Sequence, residues 1–134
     1  MSGETNLSTL LSSLNPILNK GEYVFINLTE PNPMALAHCI CFFKEAEGST
    51  YILNRSKADE FQFSYDFVAA WITLKVHSSL EAVGLTAVFS SELAKNHIGC
   101  NAVAGYYHDH IFVAIEDGNK AIEILQKIPK TTKS

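Results

Sequence analysis

The sequence predicts an α+β fold made of two small interlocked units, and three observations carry that expectation. The chain has 134 residues, of which 47% are hydrophobic and 18% charged. That is enough for one full-sized core or two very small ones, and it argues against disorder. The apolar residues change along the chain between alternating and helical spacing. The segments so marked run strand, helix, strand, strand, helix from Trp71, and strand, loop or short helix, strand, strand, helix, strand from Glu22.

Taken in order, Asn6 is placed to start a short helix over 7–14, whose Leu7, Leu10, Leu11 and Leu14 share one stripe, and Asn15-Pro16 stops it. A strand follows over 22–28, with Val24, Ile26 and Leu28 facing one way and Tyr23, Phe25 and Asn27 the other. The prolines of Glu30-Pro31-Asn32-Pro33 make a loop. Residues 38–45 and 49–54 read as a hairpin around Ala46-Glu47-Gly48, and 55–61 as a short helix. The stretch 65–76 is strand-rich, with Ile72, Leu74 and Val76 on its core face. A long helix is expected over 80–96, with Val83, Ala87, Ser90, Leu93 and Ala94 near helical spacing beside Phe89, and Gly99 as its stop. Strands over 100–105 and 108–115 flank Gly105-Tyr106-Tyr107-His108. A helix over 118–127 is ended by Pro129, leaving a frayed tail.

Each half is close to the split βαββαβ plan of ferredoxin-like folds, with antiparallel sheets. The expected division is an N-terminal unit over 1–69 and a C-terminal unit over 70–134. The second unit lacks its last strand, which either residues 16–19 or the long strand ending at Val76 can supply. Units of roughly 65 residues are marginal alone, so a shared core is expected.

Composition excludes several functions. The net charge is −4, and Arg55 is the single arginine, which argues against nucleic acid as a partner. No apolar run approaches the roughly 20 residues of a membrane helix. The start Met1-Ser2-Gly3-Glu4 is no signal peptide. The odd set Cys39, Cys41 and Cys100 then reads as free thiols in a reducing, cytoplasmic setting. Cys39-Ile40-Cys41 lacks the second pair of a metal site and fits buried apolar thiols. Nothing sets Cys100 beside the imidazole of His108 with Asp109 behind it, so thiol catalysis has no support.

The run from Ile72 through His77-Ser78-Ser79-Leu80-Glu81-Ala82-Val83-Gly84 to Ala94, followed by Ile98-Gly-Cys-Asn-Ala-Val and Tyr107-His-Asp-His-Ile-Phe-Val, resembles the ACT domain family. Within that family the chain is similar to small bacterial tandem ACT-like proteins, akin to the regulatory domains of aspartate kinases. Phe43-Lys44-Glu45-Ala46-Glu47-Gly48 resembles a turn of that group's first unit. The resemblance implies a non-catalytic regulatory module that binds an amino acid or related metabolite at a paired interface; no cofactor or metal is expected. Self-association is expected separately, from the missing closing strand and the open amphipathic face of Trp71, Thr73 and Phe112, with a symmetric dimer as the default.

The candidate ligand residues are Ser78, Ser79, Glu81, Val83, Gly84, Leu85 and Thr86 at the start of the long helix, with Asn101, Tyr106 and His108. Free N–H groups at a helix start suit a carboxylate. Ser78 or Ser79 equally reads as a helix cap, and Gly84 as a site of close helix–sheet packing. Asn101, one residue into a strand expected to be central, bonds either backbone or, as the resemblance implies, the ligand. His108 and His110 share a face, with Asp109 opposite and His77 near by. That leaves a three-histidine metal site as a lesser alternative to a half-polar sheet face buried against a partner. The other alternative is a structural or interaction protein whose pocket is vestigial.

Overall fold

The computed structural model of the chain describes residues 6–76 and 83–132, with side chains through Ile128. The chain forms two compact units, one of Lys20–Ala69 and one split along the sequence into Met1–Asn19 and Ala70–Ser134. Both are α+β with antiparallel strands, the ferredoxin-like plan expected from the element order.

In the 20–69 unit, β2 (Tyr23–Leu28) is followed by α2 (Pro33–His38), the hairpin β3 (Cys39–Glu45) and β4 (Gly48–Asn54), and α3 (Arg55–Glu60). β2 lies between β4 and the first residues of β5 (Val68–Leu74), and β3 pairs only with β4 among the described residues. Val24, Ile26, Tyr51 and Leu53 on the sheet close on Ala35 and Ala58 from the helices. The alternation read along β2 places Val24 and Ile26 in that core. The loop expected at 30–33 is followed by a helix that the sequence reading left open. Asn32 caps it through Oδ1 to the Ala35 N–H at 2.9 Å, and Pro33 occupies its first turn, where a missing N–H costs nothing. Arg55 fixes the start of α3 to the rest of the unit. Its Nη1 meets Glu22 at 2.8 Å, its Nε donates to the Tyr65 hydroxyl at 2.9 Å, and that hydroxyl donates to Asp59 at 2.7 Å.

A β-bulge lies between Cys39 and Cys41. Cys39 is paired with Leu53 and Cys41 with Ile52, so one extra residue puts the two thiols on opposite sheet faces. A regular strand would have put them on the same face. Burial raises the Cys39 thiol pKa above its usual range.

In the split unit the strand order is β1 (Pro16–Leu18), β5, β7 (Asp109–Ala114), β6 (Asn101–Ala104). The strand missing from the C-terminal half is therefore supplied by residues just before Asn19, with Pro16 opposite Leu74 and Leu18 opposite Ile72. Helices α1 (Leu7–Ser12), α4 (Leu85–Lys95) and α5 (Gly118–Thr132) cover one face. Leu10, Leu11 and Leu14 from the first segment pack with Ile72, Leu74, Phe89, Leu93, Ile111, Val113, Ala121 and Leu125. Asn6 caps α1 by accepting the Thr9 N–H at 3.0 Å, as its position suggested.

Four expectations in this unit are corrected. α4 starts at Leu85, not residue 80, because Gly84 adopts φ +97° and stands outside the helix as its N-cap. Its buried stripe is Leu85, Phe89 and Leu93; Val83, expected on that stripe, precedes the helix and is 83% exposed. Gly99 does not end the helix. His97 takes the left-handed position at φ +62°, with His97 N–H on Ala94 O at 2.9 Å and Ile98 N–H on Leu93 O at 3.0 Å. These are the paired bonds of a Schellman cap, and Ile98 and Leu93 are both buried behind it. Finally, α5 runs through Pro129 to Thr132. Pro129 forfeits one hydrogen bond close to the helix end, too few residues from it to cut the helix there.

Candidate functional site

The expected ligand residues fall into three places in the split unit. Ser78, Ser79 and Glu81 lie outside the described residues, as does His77. The N-terminal turn of α4 is described from Val83. Gly84 takes a left-handed backbone that few residues other than glycine adopt, and no side chain among the described residues caps the helix. The N–H groups of its first turn thus have no side-chain acceptor among the described residues, at the positive end of an eleven-residue helix. Thr86 is exposed there, whereas the Leu85 side chain belongs to the core.

Asn101 begins β6, which is an edge strand and not the central one expected. It is exposed, and its Nδ2 donates to the Phe112 carbonyl at 3.4 Å. Tyr106 and Tyr107 form the exposed corner of the β6–β7 turn, with rings in edge contact at 5.1 Å. The turn is closed by Gly105 N–H on the His108 carbonyl at 2.9 Å. A Cβ on Gly105 would stand 2.7 Å from that carbonyl and 3.2 Å from His110 Nε2, so the close approach requires glycine. His108 is half-buried, and its Nδ1 is buried with no hydrogen-bond partner among the described residues. No hydrogen bond among the described residues joins the α4 start to Asn101, Tyr106 or His108.

The sheet face away from the helices holds a polar cluster that sequence reasoning saw only in part. His110 Nδ1 receives the Trp71 indole N–H at 3.1 Å and lies 3.2 Å from the Thr73 hydroxyl. Asn19 Nδ2 donates to Thr73 Oγ1 at 2.9 Å, and Asn19 N–H to the Trp71 carbonyl at 2.9 Å. Phe112 stacks on Trp71 at 6.4 Å and is 2% exposed. The shared face of Trp71, Thr73, His110 and Phe112 is legible from alternation. The register that brings Trp71 to His110 is not. Asp109 lies on the opposite face with Ile111 and Val113, as alternation required.

Burial lowers the His110 pKa from the usual imidazole range; His108 adds to this and Asp109 opposes it. Burial raises the Asp109 carboxyl pKa, partly offset by His110 and His108. Cys100 is also raised by burial, the behaviour of a packed thiol rather than a nucleophile. Among the described residues no three His, Cys, Asp or Glu side chains gather as a metal site. No helix there is long and apolar enough to cross a membrane.

Comparison with known proteins gives two adjoining matches to the ACT domain, over residues 2–70 and 67–127. Similar solved structures include a protein of unknown function from Vibrio cholerae, described as a possible transport protein. It is 41% identical over 92% of this chain and 95% of its own, with a TM-score of 0.83. A protein from Agrobacterium tumefaciens is 16% identical over 87% of this chain and 89% of its own, with a TM-score of 0.67. The ligand-free regulatory subunit of aspartate kinase from Thermus thermophilus is 8% identical over 87% and 96%, with a TM-score of 0.64. The last two speak to fold alone. No curated protein matches the chain.

Proposed function

Because the chain belongs to the ACT domain family and carries two such domains in tandem, we propose that it is a non-catalytic regulatory module for a small anionic metabolite, an amino acid or a close relative. The observation that carries this reading is the start of α4. Gly84 leaves the first-turn N–H groups without a side-chain cap among the described residues, and Val83 beside them is exposed. A ligand carboxylate would be received by backbone N–H groups around Val83, Gly84 and Leu85. Ser78, Ser79, Glu81 and Thr86 would border it, and Asn101, Tyr106 and His108 would approach from the β6–β7 side. A thermal-shift screen of amino acids and related metabolites tests the proposal, since a ligand that binds only the folded chain raises its melting temperature. Silence at millimolar concentrations sinks it.

The second reading, a protein-interaction module, has its own support. The edge strand β3 exposes Ile40, Phe42 and Phe43, the last at 68%. An unpaired apolar edge is a ready surface for a second chain. The sequence expects self-association from a missing closing strand and an open face of Trp71, Thr73 and Phe112. β1 supplies that strand, so the β3 edge carries the proposal here, and a monomer in light scattering at high micromolar concentration counts against it.

A further inference from the structure

The Asn19, Thr73, His110 and Trp71 cluster serves neither reading, and its hydrogen-bond directions are fixed by chemistry. An indole N–H only donates, so the nitrogen it meets at 3.1 Å, His110 Nδ1, must accept. The imidazole is therefore neutral, with its proton on Nε2. Thr73 Oγ1 accepts from Asn19 Nδ2 and is left to donate its own proton toward the same nitrogen. The whole cluster points its donors at one lone pair.

We propose that His110 is a proton-operated latch: neutral, it ties β7 to Trp71 and Thr73 of β5 and through Thr73 to Asn19 at the end of β1; protonated, it drives the Trp71 indole away and releases that tie. Protonation puts an N–H on Nδ1 directly against the indole N–H. Flipping the ring does not help, because both nitrogens of an imidazolium are donors. Gly105 closes the far side, where even a Cβ would approach His110 Nε2 to 3.2 Å, so the ring has little room to swing clear. Burial, which lowers the His110 pKa, acts in the same direction. Among the described residues, few other ionisable groups face the cluster. His108 comes from the turn, Lys75 follows Thr73 along the alternation of its strand, β6 places Val103 opposite His110, and Asp109 lies on the reverse face; His77 lies outside the described residues.

Trp71 is the chain's one tryptophan, so its emission reads the latch directly. In the full chain, emission should titrate with a midpoint below the ordinary imidazole value of about 6.5. The transition should vanish in His110→Asn, whose amide oxygen accepts the same donors without titrating, and persist in His108→Asn and Asp109→Asn. Protection of the Asn19 amide against hydrogen exchange should fall across the same pH interval. Nitrogen-15 spectra of the native chain at neutral pH should find the His110 proton on Nε2. A flat emission titration, a transition that survives in His110→Asn or disappears in Asp109→Asn, or a proton on Nδ1 overturns the proposal. If His110→Asn does not fold, the native-chain spectra and titration decide alone.

Discussion

A Cβ on Gly84 would stand 3.1 Å from Cδ2 of Leu7, a residue 77 positions earlier in the chain. One glycine thus answers two demands: a left-handed backbone at φ +97° and a close approach by the side chain of another helix. Gly84→Ala should destabilise the chain by about 1–3 kcal/mol. Gly99→Ala, where no atom lies within 4 Å of the added Cβ, should be near neutral. Urea unfolding of the two variants measures the contrast, and equal effects would mean that the helix start tolerates an ordinary residue.

Val83→Asp tests the proposed anion site. The side chain is exposed and an acid is welcome beside a helix start, so folding should be kept. An anionic ligand should bind at least several-fold more weakly by calorimetry. Unchanged affinity moves the site elsewhere.

Asp109 should make stability depend on pH. The residue is 9% exposed, and burial raises the pKa of its carboxyl. The folded chain therefore holds this proton more tightly than the unfolded chain, and stability from this group is present at low pH and lost as pH rises through the raised value. Asp109→Asn should then raise the melting temperature at pH 7 and leave it nearly unchanged near pH 3. A drop at pH 7 would show that the ionised carboxylate is stabilising.

Leu10→Ala tests how firmly the first segment is built into the split unit. Leu10 is 1% exposed and belongs to the larger core. A loss of about 2–5 kcal/mol is expected. A loss well under 1 kcal/mol would mean that α1 lies on the unit without stabilising it.

Much of this architecture was legible because local chemistry and tertiary packing agree. Asn6 signalled a cap, and Val24 and Ile26 signalled a buried face. Ile72 and Leu74 did the same for β5. The strand at 16–18 was one of two readings, since three residues carry too little pattern to choose a partner. The helix after Asn32 had a usable signal in its Asn-Pro start, which the preceding Pro31 obscured. The start of α4 was misplaced because the apolar spacing continues upstream of Gly84, and only the backbone reveals the left-handed turn. His97 in the capping position is equally silent, being neither glycine nor asparagine. The site was legible in part. The helix start and the histidine face could be named, but Asn101 was set in a central strand because edge and centre differ only in strand order.

The split unit also imposes an order on synthesis. Pro16–Leu18 leave the ribosome before Lys20–Ala69 and must wait for β5 to find their sheet. The 20–69 unit has its own core, and its sheet includes the start of β5. In a vectorial process it can close first. Leu10, Leu11 and Leu14 meanwhile have nothing to bury them until Phe89, Val113 and Leu125 have been made. This segment is made before the residues that pack it, so its leucines are among the last of the split unit's core to be buried.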